Sequence, residues 1–337
     1  MKKLLALVLS VLTLFSAFVL TSCSAKTLKF GVGIVSSYAK AEDAKKDVQG
    51  TGEAIETIAA VLVDADGKIV ACKVDTADLI VGYTADGKAI KASSFKTKGE
   101  LGKDYNMAKY GQDANGDGKV LEWFEQADAL CKTVVGKTTD EVKAMAIDGK
   151  PNEDIVNAGC TINVADFIKA VVLAMENAKE SEATAEDTIK ISTVTTQKTT
   201  DASKDADGSN AVETTFAAVV VNADGKVVTS AVDCVSATFA FDKKGKAKTD
   251  IATELKSKAQ AGENYGMSKY GQDLNEDGKV LEWNEQAEAF QTAIVGKNAD
   301  EIGKLVTDKG YGVDELQTAG CTIAISDIVN AVVNAMK

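Results

Sequence analysis

Two hydrophobic rhythms follow one another along this chain, and then the pair recurs. In Thr57–Val63, Lys68–Val74, Thr215–Val221 and Lys226–Val232, β-branched and apolar residues run together or alternate with polar ones. Asp66-Gly67 and Asp224-Gly225 separate these runs. An Asp-Gly pair between two such runs is a strong hairpin signal, so two hairpins are predicted. Lys29–Ser37 and Thr188–Thr196 read as further extended segments of the same sheets. The period then changes. Val164, Phe167, Ile168, Val171, Val172 and Met175 mark one buried helix face, and Ile325, Ile328, Val329, Val332, Val333 and Met336 repeat it. A helix from near Leu121, with a twin from near Leu281, ends at Gly136 or Gly296, residues suited to a C-cap. Thr138 with Glu141, and Asn298 with Glu301, have capping-box spacing. Strands first and helices after predict an α+β fold: two tandem repeats, each an antiparallel β-sheet packed with about three helices.

The recurrence is a tandem duplication. Met107 opens MAKYGQDANGDGKVLEWFEQADA and Met267 opens MSKYGQDLNEDGKVLEWNEQAEA, identical at 18 of 23 positions and 160 residues apart. Ala158-Gly159-Cys160-Thr161-Ile162 returns as Ala319-Gly320-Cys321-Thr322-Ile323. Residues 23–180 form the first repeat and 188–337 the second. The acidic, non-periodic stretch 181–187 reads as a linker. Each copy carries a full set of strands and helices and reads as a unit able to fold alone.

At the start, Lys2 and Lys3 precede a charge-free apolar run from Leu4 to Leu20, the order of a signal peptide over residues 1–22. Leu20-Thr21-Ser22-Cys23 resembles the lipobox of bacterial lipoproteins. That resemblance implies a lipid on Cys23, cleavage before it, and an extracytoplasmic chain tethered to a bacterial cell membrane, where two or more acyl chains hold stably. The competing reading is an uncleaved anchor helix, at the short end of the roughly 17–25 residues that span a bilayer.

Charge and missing residues narrow the chemistry. With 38 basic and 50 acidic residues, net charge −12, the chain lacks the basic excess that a nucleic-acid partner requires. There is no His, which removes Ser-His-Asp and Cys-His catalysis, imidazole zinc sites and His-ligated haem. No nucleophile-plus-base set remains, and a non-catalytic role is favoured over an enzyme. Besides Cys23 there are Cys72, Cys131, Cys160, Cys234 and Cys321, in no metal-knuckle spacing. Buried small hydrophobes is the default reading for them. A Cys131–Cys160 bridge is the alternative, although Gln291 replaces Cys131 in the second copy.

The acidic loops carry a metal-binding pattern. Asp113, Asn115, Asp117 and Gly118 reproduce positions 1, 3, 5 and 6 of an EF-hand calcium loop, and Asp273, Asn275, Asp277 and Gly278 repeat them. Phe124 and Asn284 stand where the bidentate Glu belongs, so Glu122 and Glu282 at position 10, or Glu125 and Glu285 at position 13, are the candidates to close the shell if the helix starts early or is rotated. The alternative is a plain Asp/Asn/Gly turn before an acidic first helical turn.

The strand-then-helix order, the Asp-Gly-Lys hairpin and a Gly-x-Thr before the last helix resemble the FMN-binding domain of flavin-carrying surface lipoproteins. That domain also occurs in a subunit of sodium-pumping quinone reductases. Its signature is an Asp, two residues, then Ser-Gly-Ala-Thr, with the flavin phosphate joined to the Thr. The resemblance covers nearly all of each copy as architecture. It implies FMN near Gly159, Thr161, Gly320 and Thr322, and electron transfer with a redox partner. The Gly and Thr are kept, the Ser and Ala are lost, and Asp154 and Asp314 stand too far upstream. Lys98, Tyr105, Met107, Lys109 and Tyr110, with Lys258, Tyr265, Met267, Lys269 and Tyr270, are the paired residues that would line such a site. Against this stand a capping or turn role for the two Thr, loop packing for the Tyr and Met, and helix-to-sheet core positions for Trp123 and Trp283. Without flavin, the chain reads as a calcium-stabilised surface binding or structural module.

Overall fold

The computed structural model describes residues 27–109, 113, 116, 118–269, 278 and 280–337, so the stretch read as a signal peptide and Cys23 lie outside the described residues. The first repeat opens with strands β1 (Lys29–Glu42), β2 (Gly50–Val63) and β3 (Ile69–Tyr83). The second opens with β4 (Thr188–Thr200), β5 (Gly208–Val221) and β6 (Val227–Phe241). Both sheets are antiparallel, in the orders β3-β2-β1 and β6-β5-β4. Two-residue pairings extend the first: Ala89–Ile90 beside β3 and Lys179–Glu180 beside β1. The hairpins turn where expected. Asp64 Oδ1 accepts the amides of Asp66 and Lys68, both at 2.9 Å, and Gly67 takes φ 75°, open to a residue without Cβ.

Among the described residues, five α-helices follow in each repeat. In the first they are α1 (Lys98–Leu101), α2 (Trp123–Val134), α3 (Thr139–Lys143), α4 (Glu153–Asn157) and α5 (Ala165–Glu176). In the second they are α6 (Lys258–Ala261), α7 (Trp283–Ala293), α8 (Ala299–Gly303), α9 (Asp314–Thr318) and α10 (Ser326–Met336). The predicted three are α2, α3 and α5 with their twins, and both capping boxes of α3 and α8 are formed. The extra short helices are too brief to show a period. In α1 and α4 the side-chain caps Thr97 and Asn152 mark the start.

A strand's two faces go to two different cores. On β2, Ala59, Val61 and Val63 meet α2 and α5, and on β5, Ala217, Val219 and Val221 meet α7 and α10. The intervening residues Ile58, Ala60 and Leu62 of β2 pack instead on Phe216, Ala218 and Val220 of β5. The sheets therefore stack face to face with helices outside, in four layers. In the first repeat α5 lies directly on β1, because a Cβ on Gly31 or Gly33 would collide with the carbonyls of Ala174 and Ala170.

The stacked sheets bring equivalent positions into contact. Tyr83 and Phe241 stack at 4.4 Å between ring centroids, 7° from parallel, and the Thr214 hydroxyl faces the Glu56 carboxyl. Members of each pair are 158 residues apart, as are Asp66 and Asp224, which places an approximate twofold axis between the repeats. Hydrogen bonds tie the seam: Ala44 N–H to Gly245 O at 2.7 Å, Asn210 Nδ2 to Gly82 O at 3.0 Å, and Ser36 Oγ to Leu255 O at 3.1 Å. The stretch read as a linker is built in as well. Ala183 is fully buried and its carbonyl accepts the Leu28 amide at 2.7 Å.

The cysteine reading divides. Cys131, Cys160, Cys234 and Cys321 are buried free thiols, while Cys72 is only half-buried. The thiol that Cys131 meets from the facing strand is Cys72. Helix α2 packs on β3 and brings Cys131 to Cys72; Cys160 also neighbours Cys131, and all three are free thiols with no Cys131–Cys160 bridge formed.

Candidate functional site

The repeated lysines are placed by two aspartates, Asp75 buried and Asp233 half-buried. Asp75 on β3 accepts the Gly99 amide at 2.9 Å and the Thr97 hydroxyl at 2.7 Å, fixing the first turn of α1. Asp233 on β6 accepts the Ala259 amide at 3.0 Å and fixes α6 in the same way. Burial pushes both carboxyls above the usual aspartate range, against these hydrogen bonds. The side chain that each turn delivers is Lys98 or Lys258.

Both lysines sit over aromatic rings. Lys98 Nζ lies 5.3 Å from the Tyr105 ring and 5.9 Å from that of Trp123; Lys258 Nζ lies 5.5 Å from both Tyr265 and Trp283. These are cation–π distances. Each ammonium also holds a carboxylate, but from a different strand: Asp78 on β3 at 3.1 Å, and Glu213 on β5 at 3.0 Å. Glu213 stands opposite Ser236, the twin of Asp78, so the acid has crossed to the facing strand while the ion pair persists. Burial works against the charge of Lys258, but Cys234 and Glu213 outweigh it and raise its pKa.

In the second repeat these groups line a cavity of about 900 Å³ that also receives Met267, Thr322, Lys309 and Tyr311. A volume in the range of roughly 300–1,000 Å³ is typical of small-molecule sites. Here the structure brings Thr322 together with Lys258, Tyr265 and Met267, as the sequence suggested. Lys269 is not part of the lining, and Tyr110 and Tyr270 lie outside the described residues.

The two threonines have a specific partner that sequence reasoning missed. Gln286 Oε1 accepts the Thr322 amide at 2.8 Å and its hydroxyl at 2.9 Å, while Gln286 Nε2 donates to Leu281 O at 3.0 Å. Gln126 binds Thr161 and Leu121 identically in kind. The helix N-caps are instead Val164 and Ile325, so neither Thr is a cap. Gly159 and Gly320, both at φ 101°, make the turn after α4 and α9 and pass against Leu121 and Leu281. Both glutamines lie inside the repeated 23-residue block, where identity across the copies was the available signal. Glu213 carried no such signal, because its twin is Ile55.

The described residues flanking the second acidic loop, Met267 and Trp283, line this cavity. Asp113 Oδ2 accepts the Gly118 amide at 2.8 Å, folding the loop around its first carboxylate. Asn115, Asp117, Asp273, Asn275 and Asp277 lie outside the described residues. Glu122 and Glu282 are the N-cap residues of α2 and α7, and their Oε2 atoms accept the Met107 and Met267 amides at 2.7 and 2.8 Å. The Ser268 hydroxyl, joined by the Met267 amide, holds Glu282 below the usual glutamate range. Among the described residues, no three His, Cys, Asp or Glu side chains converge as a metal cluster.

No protein-family model, curated protein or solved structure matches this chain.

Proposed function

We propose that this chain is an exported, lipid-anchored surface protein that binds a planar, phosphate-bearing ligand of the FMN kind, non-covalently, in the cavity of its second repeat. One observation carries this reading: Thr322, Lys258, Tyr265 and Trp283, distant in sequence, line a single cavity of small-molecule size. Tyr265 offers a half-exposed ring face for stacking, and Lys309 is the lining cation left over once Lys258 is paired with Glu213. The Thr322 hydroxyl is committed to the Gln286 amide oxygen, which is not a base, and this supports binding without a covalent bond.

Adding the full chain to FMN is expected to quench flavin fluorescence to saturation. Tyr265→Ala should weaken binding about tenfold, the loss of one good aromatic contact. Incubation with a flavin transferase should leave the protein mass unchanged. Absence of quenching at high protein concentration overturns the flavin reading.

A second reading rests on the Asp113–Gly118 bond, which is the bend a calcium loop needs at its first ligand. Calcium binding only the folded state at 100 times its Kd stabilises by about 2.7 kcal/mol. The thermal midpoint is therefore expected to rise with calcium over chelator, and Asp117→Ala with Asp277→Ala should erase the rise. Equal midpoints in the unmutated protein leave a plain turn.

A further inference from the structure

Strand β6 is an edge strand of its sheet, and among the described residues no strand pairs with the outer side of residues 229–233. Beyond Val235 the edge is covered, because Ser257 bridges to it. Between residues 229 and 233 it borders a cavity of about 830 Å³. The Val232 amide points outward, since Gln291 Oε1 accepts it at 3.2 Å, and the Cys234 amide is taken by Asp233 Oδ1 at 2.8 Å. Backbone groups alternate along an antiparallel strand, so the Ser230 N–H and C=O and the Val232 C=O share this outer edge.

The cavity has two unlike halves. Between the sheets, Phe30, Ile34 and Phe216 give an apolar wall; beneath α7, Ser230, Asn284 and Gln291 give a polar one. Ser230 Oγ and Asn284 Oδ1 are buried atoms with no hydrogen-bond partner, and an unmet buried polar group is destabilising. The duplication shows that this is no requirement of the fold. At the twin positions the first repeat has Cys72, Phe124 and Cys131, all packed into or against its core. Three positions that are apolar in the first repeat are polar in the second, and all three of the polar residues line this cavity.

We propose that the edge of β6 binds an extended peptide segment as an added strand. Such a strand would pair its backbone with Ser230 and Val232. It would send alternate side chains to opposite sides, an apolar one toward Phe30 and Phe216, the next toward Asn284 and Gln291. The acceptor at Asn284 asks for a hydrogen-bond donor, so the fitting segment alternates apolar residues with Gln, Ser or Lys. Four acidic side chains and one lysine line the cavity, which disfavours acidic segments.

The test uses the full chain carrying Trp123→Phe, so that Trp283, which lines the cavity, is the only tryptophan. The probe is a pool of capped hexapeptides alternating Val or Leu with Gln, Ser or Lys. A saturable change in Trp283 fluorescence is expected. Backbone N-methylation of the peptides should weaken it at least tenfold. Ser230→Pro should do the same, since Pro at an outward-facing edge position spares the β5–β6 ladder. If that variant fails to fold, Ser230→Cys with Asn284→Phe and Gln291→Cys, the first repeat's own residues, replaces it. Tyr265→Ala, in the other cavity, should leave peptide affinity unchanged, which separates this proposal from the flavin reading. No saturable change across the pool overturns the proposal, as does equal affinity for N-methylated peptides.

Discussion

Glu56→Gln is expected to become progressively more stable than the unmutated protein as pH rises from 4.5 to 8. The difference should grow by about 1.4 kcal/mol per pH unit and reach about 3 kcal/mol near pH 7. Glu56 sits on the inner face of β2, fully buried between the sheets, and neither carboxyl oxygen meets a donor at hydrogen-bonding geometry. Burial pushes its pKa from 4.5 up to about 8, opposed only by the nearby Thr214 hydroxyl. The folded chain thus keeps a proton that the unfolded chain releases above pH 4.5, so rising pH favours unfolding until the folded pKa is passed. Gln keeps the shape and cannot ionise. Denaturant melts of both proteins at half-unit pH steps would measure the slope of their difference. Taking the difference cancels Asp75 and Asp233, whose pKa values burial also raises. A difference that stays level from pH 4.5 to 8 would show that Glu56 is solvated or paired in the folded protein.

Separated repeats, residues 27–180 and 187–337, are expected not to persist as folded monomers, and to associate one to one when mixed. Each copy looks self-sufficient in sequence, but the structure leads to the opposite expectation. Cutting the chain would expose Phe30, Ile34, Ile58 and Leu62 on one side and Phe216, Ala218 and Val220 on the other. Burial of one large apolar side chain contributes roughly 1.5–3 kcal/mol, so four or five together match the 5–15 kcal/mol that holds a typical domain. Analytical ultracentrifugation and calorimetry of each half, alone and mixed, would decide. Two monomers that each unfold cooperatively would falsify the shared-core account.

The calcium and flavin expectations show where residue patterns stop being informative. Asp113 and Gly118 could be matched to a loop pattern because their spacing is local. The partner of Lys258 could not, since Glu213 reaches it from another strand. The role of Thr322 was missed for the same reason: its hydrogen bonds go to Gln286, 36 residues away, and residue type alone suggested a cap.

By itself the sequence determined the elements and their duplication. Period-two runs, Asp-Gly turns, capping boxes and helical stripes act within a few residues, and local propensity suffices to place them. What only the tertiary structure decided is which surface each strand face meets. Ile58 and Ala59 are both apolar neighbours, yet one packs on the other repeat and the other on a helix. A buried strand reads as continuous apolar sequence whichever layer covers it. The buried Glu56, the facing Cys72 and Cys131, the crossed Lys258–Glu213 pair and the open edge of β6 all follow from that stacking. Each depends on residues that approach through space, with no short-range pattern to announce them.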